Sequence, residues 1–398
     1  TTGQHPGGLM IVPNEYEIYD FTPFQYPAND KKSEVYTTHF AYEFIHDDLI
    51  KLDALGHDDP TMIRLLYEYS GIDPMTIPMD DKKTISIFSS TKALGVDPEE
   101  LGTDVGTIGI PEFGTDFVMG MLRETRPKTF AELVRISGLS HGTDVWLGNA
   151  QTLINKKIAT LSDVISCRDD IMIYLIHKGV PHSNAFKIME NVRKGKGLKE
   201  EEINIMKEHN VPDWFIESCQ KIKYLFPKAH AVAYVSMAFR IAYFKVHYPL
   251  AFYAAYFSTK GDEFDAELIL KGKEAIKKRL VELAASMKKD VKEKNEEKVL
   301  QAALEMLLRG YGFKKPDLKR SDAKRFIIDG KDLLIPFNKI HGIGENVANS
   351  IVEKRAEKPY TSIEDLMNRA RVTKAQVDVL KRIGVLDGLP ETDQTMLF

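Results

Sequence analysis

Asp53 is a carboxylate inside an otherwise apolar, alternating segment, and this position makes it a candidate metal ligand. It lies in HDDLIKLDALGHDDP, residues 46–60, where apolar and polar side chains alternate up to Gly56. Alternate side chains of a strand share a face, so the pattern predicts a short strand with one polar face. The apolar face carries Ile50, Leu52 and Ala54, and the polar face carries Lys51 and Asp53. A carboxylate there can be a ligand for a hard cation, or it can mark where an edge strand meets solvent.

A second candidate is the basic, glycine-rich segment NVRKGKGLKEEE. Arg193, Lys194 and Lys196 interleave with Gly195 and Gly197 just past a predicted helix. Several cations on a flexible backbone can bind a triphosphate or a nucleic-acid backbone. The segment is not a Walker loop, because the chain contains no G-x-x-x-x-G-K-S/T string. A solvated basic loop without a ligand is the alternative interpretation.

A third candidate is the start of the apolar segment FPKAHAVAYVSMAFRIAYFK. Lys228, His230 and Tyr234 form a polar stripe at the beginning of a predicted helix whose other faces are apolar. Residues four apart lie on the same side of a helix, so His230 and Tyr234 are expected to be neighbours. They can be part of a binding site, or they can be core groups whose hydrogen bonds are satisfied within the protein.

The most readable local motif is NKIHGIGENVANSIVEKR. An apolar residue, then Gly342, Ile343 and Gly344, then Ala348 early in a helix, is the pattern of a helix-hairpin-helix. Its glycines let backbone amides approach a phosphate closely, and such contacts do not depend on base sequence. The alternative is a glycine-containing turn between helices that binds nothing.

The sequence ends in QTMLF, which combines a polar residue with a bulky apolar pair. Short peptides of this type dock in grooves, where apolar side chains fill a pocket and a polar side chain satisfies backbone groups. Gln394, Leu397 and Phe398 are the residues that would make these contacts.

The triplet HDD occurs twice, at residues 46–48 and 57–59, with His39 nearby. Histidine and aspartate pairs can serve a metal-dependent phosphohydrolase. That chemistry usually takes its ligands from packed helices, whereas these triplets flank a predicted strand, so we rank this function low.

Composition and charge narrow the class of protein. A chain of 398 residues predicts two to three domains. The apolar-rich segment 231–257 contains Arg240 and Lys245, so no run is long enough to span a bilayer, and we expect a cytoplasmic protein. Two cysteines cannot supply a disulfide framework. Residues 1–122 hold 21 acidic against 7 basic side chains, so the rest of the chain is basic, which suits polyphosphate or nucleic-acid binding.

The elements that must position these residues change along the chain. Strands are predicted up to about residue 60, and helices dominate from there to about residue 260, with a break at Pro249. The interval 271–325 holds 17 basic against 9 acidic residues and is predicted to form exposed basic helices. A compact unit follows from about 333 to 389. The predicted class is mainly α with a smaller N-terminal α/β portion.

Seven separate stretches resemble one family, the bacterial replicative DNA polymerase III of the PolC type, in its C-terminal part. The similarity runs from Thr1 to Phe398, and the stretches occur in the same order as in the family. They are TTGQHPGGLMIVP, LIKLDALG, GIPEFGTDF, SGLSHGTDVWLGNAQ, CRDDIMIYLIHKG, FKIMENVRKGKGL and FPKAHAVAYVSMAFRIAYFKVHYP.

The resemblance implies a domain order. Residues 1–60 would be the C-terminal part of a polymerase palm, 61–265 the fingers and 266–389 a duplex-binding domain with the helix-hairpin-helix, followed by a clamp-binding tail at 390–398. The implied reaction adds deoxynucleoside triphosphates to a primer 3′-hydroxyl by two-metal nucleotidyl transfer. Primer-template DNA, dNTPs, a sliding clamp and the missing N-terminal part of the polymerase are the implied partners.

The resemblance also implies roles for particular residues. Asp53 would be the third catalytic carboxylate and a ligand of two Mg²⁺ ions, whereas the other two carboxylates of the family lie upstream of Thr1. The implied dNTP-binding residues are Arg168, Arg193, Lys194, Lys196, Lys228, His230, Tyr234 and His141. Gly342, Ile343 and Gly344 would contact DNA, and Gln394, Leu397 and Phe398 the clamp.

One carboxylate cannot hold two metal ions, so we expect this chain alone not to polymerise DNA. Two classes of function therefore stay open. The chain can be part of a polymerase that the missing portion completes, or it can be a stand-alone module that binds DNA and the clamp without catalysis.

Overall fold

The computed structural model describes residues 3–5, 7–54, 56–286 and 288–393. They divide into two compact units, one that ends at Asp58 and one that begins at Asp59. The prediction of a mainly helical chain with a small strand-containing N-terminal portion is confirmed. The boundaries of the palm, the fingers and the duplex-binding domain stay predictions.

The N-terminal unit is built on two small antiparallel sheets. The first strand pairs with the last, so that Gly8 lies opposite Asp53 and Ile11 opposite Ile50. In the described residues of this unit, helical structure is confined to short 3₁₀ turns. The strands are β1 (Gly8–Ile11), β2 (Phe24–Gln25), β3 (Thr37–Thr38) and β4 (Ile50–Asp53), and β2 pairs with β3.

Strand β4 has the predicted alternation but not the expected burial. Lys51 and Asp53 share a face, and the Lys51 Nζ atom lies 2.9 Å from the Asp53 carboxylate. Ile50 and Leu52, on the opposite face, are 74% and 53% exposed in this unit. Short two-stranded pairing provides no second layer that would cover an apolar face, so the alternation alone did not determine burial.

The second unit begins with a helical region that runs to residue 308. Its helices are α1 (Asp59–Ser70), α2 (Lys82–Ser86), α3 (Pro98–Leu101), α4 (Asp116–Thr125), α5 (Phe130–His141), α6 (Gln151–Asn155), α7 (Arg168–His177), α8 (His182–Arg193), α9 (Glu200–Glu208), α10 (Asp213–Lys221), α11 (Lys228–His247), α12 (Pro249–Lys260), α13 (Ala266–Leu270), α14 (Lys273–Ala285) and α15 (Val291–Leu308).

Helices α11 and α12 form the centre of this region. Helix α11 packs against α1, α2 and α5, and α12 packs against α1 and α15. The predicted break at Pro249 is confirmed, since α11 ends at His247 and α12 begins with the proline. A proline at the first helical position is tolerated because its missing N–H would have no partner inside the helix.

The expectation of exposed basic helices over 271–325 is wrong for the second half of α15. Val299, Leu300 and Ala303 are buried in the same core as α11 and α12. Glu305 is also buried, because the side chains of Lys245 and Tyr253 bind its carboxylate. The prediction relied on the many basic residues of α14 and of the first half of α15, and it overlooked apolar residues that recur at helical spacing and form a buried face.

A small sheet and three helices follow. Strand β7 lies between β5, to which it is parallel, and β6, to which it is antiparallel. The helices enclose a separate apolar core that includes Ile343, Ala348 and Leu366. The elements are β5 (Gly312–Lys314), β6 (Ile327–Asp329), β7 (Asp332–Leu334), α16 (Glu345–Glu357), α17 (Ile363–Ala370) and α18 (Lys374–Ile383). Within the part of the chain that the structure describes, no helix is both long and apolar enough to span a membrane.

Candidate functional site

Residues 223–228, which we call the junction segment, connect α10 to α11 and tie several helix ends together. The Lys223 amide donates to the carbonyl of Thr143, just past α5, at 3.0 Å, and the Leu225 amide to the carbonyl of Arg193, the last residue of α8, at 3.3 Å. The Phe226 carbonyl accepts from the amide of Arg168, the first residue of α7, at 3.1 Å. The ends of α5, α7, α8 and α11 therefore meet at one place.

This arrangement brings the five predicted basic residues to one segment. Two of them, Arg168 and Arg193, make the backbone contacts just described, and Lys228 begins α11. Lys194 and Lys196 flank Gly195, which has a φ of +68° and packs against the segment. A Cβ atom at position 195 would lie 2.4 Å from the Lys223 carbonyl oxygen, so this approach requires glycine.

Carboxylates already neutralise part of this charge. The Arg193 guanidinium donates to Glu190 at 2.9 Å through Nη2, and the Lys194 Nζ atom lies 3.0 Å from the same carboxylate. These two cations, Arg193 foremost, lower the pKa of Glu190 to about 2. The Lys228 Nζ atom lies 4.0 Å from Asp170. Within the described residues, Arg168 and Lys196 make no ion pair, so their charges remain available to an anion.

The three predicted aromatic and histidine residues also come together. The ring centroids of His230 and Tyr234 are 4.4 Å apart, and that of His141 lies 5.4 Å from His230 and 6.2 Å from Tyr234. Phe226 of the junction segment stacks on His230 at 4.9 Å. The cluster thus presents flat rings directly beside the basic residues, a combination that suits a nucleotide's base and phosphates.

The protonation of His141 is set by its neighbours. Its Nε2 atom lies 3.0 Å from a carboxylate oxygen of Glu112, and its Nδ1 atom lies 2.6 Å from the Ser137 carbonyl oxygen. Both neighbours accept hydrogen bonds, so both ring nitrogens are best satisfied when each carries a proton. The bond to Glu112 accordingly raises the pKa of His141, whereas burial and the His141 charge lower the pKa of His230.

The predicted hairpin is a second, separate site in the same unit. Gly342 has a φ of +82°, and its carbonyl accepts a 2.8 Å hydrogen bond from Gln376 on α18. Ile343 is buried in the C-terminal core, and Gly344 is the N-cap of α16. Cβ atoms at 342 and 344 would meet nothing within 4 Å, so the backbone faces open space on that side.

The described residues do not form a complete metal site around Asp53. None of them belongs to a group of three or more His, Cys, Asp or Glu side chains that could hold a metal ion. The carboxylate of Asp53 pairs with Lys51, and His46 pairs with Asp47 at 3.3 Å. The repeated HDD triplets thus do not converge as a phosphohydrolase centre would require. Gln394, Leu397 and Phe398 lie outside the described residues.

Sequence reasoning missed three residues of the cluster, namely Glu112, Glu190 and Phe226. Glu190 had a usable signal, because it lies three and four residues before Arg193 and Lys194 on one helix. Glu112 had none, because its contact with His141 joins a loop to a helix end and no local pattern specifies it.

Three family models match consecutive parts of the chain. The bacterial DNA polymerase III alpha NTPase domain matches residues 1–56, the bacterial DNA polymerase III alpha subunit finger domain matches 59–212, and a helix-hairpin-helix motif matches 310–396.

Curated relatives match the whole chain. The DNA polymerase III PolC-type proteins of Thermotoga petrophila and Thermotoga maritima are 69% and 68% identical over all 398 residues, and that of Bacillus subtilis is 57% identical over 399 aligned positions. The chain spans 29% of the length of the two Thermotoga proteins and 28% of the Bacillus protein. An identity this high over every element described above leaves one conclusion: the chain belongs to the PolC-type family of bacterial DNA polymerase III.

Proposed function

We propose that this chain is the portion of a replicative DNA polymerase that supplies one catalytic carboxylate, the nucleotide-binding fingers and a duplex-binding domain. The complete enzyme would add dNTPs to a primer 3′-hydroxyl as directed by a template strand, in the cytoplasm at the replication fork. The similarity of all 398 residues to PolC-type polymerases carries this proposal. The proposed parts are residues 1–60 (palm), 61–265 (fingers), 266–389 (duplex-binding domain) and 390–398 (clamp-binding tail).

The junction segment would hold the incoming nucleotide. Its basic residues can bind the oxygens of a triphosphate, because charge-assisted hydrogen bonds from guanidinium and ammonium groups are the strongest available there. The rings of the cluster would lie against the nascent base pair. The proposed dNTP-binding residues are Arg168, Arg193, Lys194, Lys196, Lys228, His230, Tyr234 and His141.

The hairpin would hold the DNA backbone instead. The proposed DNA-binding residues are Gly342, Ile343 and Gly344. The peptide N–H groups of Gly342 and Gly344 lie at a helix N-terminus, a favourable place for phosphate and one without sequence preference, whereas the Ile343 N–H donates to the Ile340 carbonyl at 3.0 Å. Gln394, Leu397 and Phe398 would bind a sliding clamp, and that tether would raise the effective concentration of the polymerase at the primer end.

The family resemblance implies two Mg²⁺ ions, and the fit of this chain to them is partial. Asp53 is a suitable oxygen ligand, but Mg²⁺ prefers six oxygens, and in the described residues Asp53 belongs to no group of three or more His, Cys, Asp or Glu side chains that could hold a metal ion. The remaining ligands would have to come from elsewhere in the polymerase. The contribution proposed for this chain is therefore one carboxylate, held next to Lys51 on the polar face of β4.

The test of this proposal is primer extension by the full polymerase that contains this chain, with Asp53→Asn. Removing one group that stabilises a transition state typically lowers the rate by at least about 100-fold, so we expect a loss of that size with primer-template affinity unchanged. Asp47→Asn is the matched control, because its carboxylate is 89% exposed and lies outside the strand. Extension by the Asp53→Asn enzyme at the rate of the Asp47→Asn control would contradict the proposal.

A further inference from the structure

A fully buried lysine lies in the core of the helical region. The Nζ atom of Lys245, on α11, is 2.9 Å from the Gly106 carbonyl oxygen, 2.6 Å from that of Ile108 and 2.8 Å from the carboxylate of Glu305. An ammonium group has three donors, so all of them are used. Burial lowers the pKa of Lys245 to about 8, and Glu305 opposes this shift.

Glu305 is held from the other side by α12 and the end of α15. The hydroxyl group of Tyr253 donates to the Glu305 carboxylate at 2.6 Å, and Arg309 donates to the Tyr253 oxygen at 3.2 Å. Lys245 and Glu305 have no exposed side-chain surface. Their network therefore joins α11, α12 and α15, and it ends at two carbonyl groups of one loop.

That loop, residues 106–112, leads directly to the candidate nucleotide site. The Gly106 amide donates to the Ile87 carbonyl at 2.7 Å, which fixes the beginning of the loop. Gly109 has a φ of +75°, and a Cβ there would lie 3.1 Å from the ring of Tyr256 on α12. At the far end, Glu112 has a φ of +66° and pairs with His141 at 3.0 Å.

We propose that Lys245 and Glu305 are positioning residues, which hold the 106–112 loop so that Glu112 keeps its carboxylate on His141. The description of His141 as part of a nucleotide site rests on the function proposed above. In the described residues the polar contacts of the pair are with Gly106, Ile108 and Tyr253 and not with the junction segment, so the pair acts through the loop. Burying two charges is costly, and apolar residues of similar size are often as stable, so a specific structural task explains the pair better than stability does.

The other groups around His141 cannot replace Glu112 in this role. His230 and Tyr234 approach from α11, Phe226 from the junction segment, and Ser137 and Ser140 from its own helix. Of these, His230 disfavours a charge on His141, and the others are neutral. Glu112 makes the one ion pair of His141 among the described residues.

The test measures the protonation midpoint of His141 in the full polymerase that contains this chain. Exchange of the imidazole C2–H with deuterium depends on the protonation state, and mass spectrometry of the His141 peptide follows it against pH. We expect Lys245→Met/Glu305→Gln to lower the midpoint as far as Glu112→Gln does. We expect the triple variant to show no additional shift, because both changes remove the same interaction.

Two results would overturn the proposal. In the first, the midpoint of Lys245→Met/Glu305→Gln stays at the wild-type value while Glu112→Gln lowers it, which would show that the loop keeps its position without the pair. In the second, Glu112→Gln itself leaves the midpoint unchanged. No nucleotide or primer takes part in the measurement, so failure of the proposed polymerase function would appear separately, in primer extension.

Tyr253→Phe is the matched control, because it removes a buried hydroxyl from the same network and leaves the three contacts of Lys245 in place. Its midpoint should equal the wild-type value. If the double variant does not fold, Gly109→Ala moves the same loop by pressing a methyl group on Tyr256. It should lower the midpoint as well, and an unchanged midpoint there would equally overturn the proposal.

Discussion

The junction segment and the hairpin are both proposed to bind phosphate, but they offer different groups to it. At the junction segment the charges are on side chains, and Glu190 neutralises two of them before any ligand arrives. At the hairpin, Gly342 and Gly344 offer backbone groups beside open space. The acidic residue in the first turn of α16 is Glu345, and its carboxylate pairs with Lys324 at 2.6 Å.

The difference shows how each site could be selective. In the proposed polymerase a nucleotide would be bound and its product released in every cycle, and cations that exchange between an internal carboxylate and a ligand would lower the free-energy cost of release. The duplex would have to be held while its sequence changes, and peptide groups bind a DNA backbone without reading bases. Substitutions should therefore separate nucleotide affinity from DNA affinity.

The largest difference between the effects on nucleotide affinity and on DNA affinity is expected for Arg193→Ala in the full polymerase. A hydrogen bond to a charged group contributes about 1.5–3 kcal/mol, so the KM for the nucleotide should rise about 10-fold or more. The Kd for primer-template should not change. Lys187→Ala, on an exposed face of the same helix, is the control. Equal losses of nucleotide and DNA affinity would remove the distinction between the two sites.

The second variant, Gly342→Ala at the hairpin, should affect DNA affinity and not nucleotide affinity. A side chain at a φ of +82° costs about 1–2 kcal/mol, so we expect weaker primer-template binding and earlier thermal unfolding of the C-terminal core, with the nucleotide KM unchanged. Gly344→Ala is the control for backbone strain, because its φ is −76° and its Cβ has room. If both variants unfold like the wild type, the left-handed turn is not needed.

A smaller effect is expected from Glu112→Gln on stability, and it should depend on pH. The raised pKa of His141 means that the pair stabilises the folded state below the ordinary histidine pKa and that this contribution disappears as pH rises through the raised value. Denaturant unfolding should show a loss of about 1 kcal/mol in the acidic range and little at alkaline pH. A loss of the same size at both pH values would show that Glu112 acts through packing alone.

The smallest effect is expected for Lys194→Ala. Its pair with Glu190 is a half-exposed pair within one helical turn, and such pairs contribute about 0.3–0.5 kcal/mol. The two bonds from Arg193 to Glu190 would remain, so unfolding should change by less than about 0.5 kcal/mol. A larger loss would mean that the three charges act as one unit.

Local patterns were sufficient for the features that depend on a few neighbouring residues. Pro249 predicted the break between α11 and α12, and Gly342 with Gly344 predicted the turn before α16. Each rests on backbone geometry that one residue type imposes. The basic residues lie at three different helix ends, so no local pattern could show that they converge. Their convergence could be expected only from the family resemblance.

What the sequence could not predict depends on distant partners. Lys245 looked like a charge that interrupts an apolar helix, and its burial required two carbonyl groups from residues 106 and 108 and the carboxylate of Glu305. The second half of α15 was likewise buried against expectation, by packing of its apolar residues into the core of α11 and α12. Ile50 and Leu52 show the converse, since an alternating pattern says which side chains share a face and not what covers that face.

The buried pair of Lys245 and Glu305 also has a consequence for temperature. The hydration of charged groups becomes less favourable as water is heated, so keeping two charges out of water costs less in hot solution than in cold. The hydrogen bonds from Lys245 to the carbonyl groups of Gly106 and Ile108 should therefore persist on heating better than purely hydrophobic contacts do. The 106–112 loop should be among the last segments near His141 to loosen as temperature rises. On cooling, the same pair should lower the free energy of unfolding by an increasing amount.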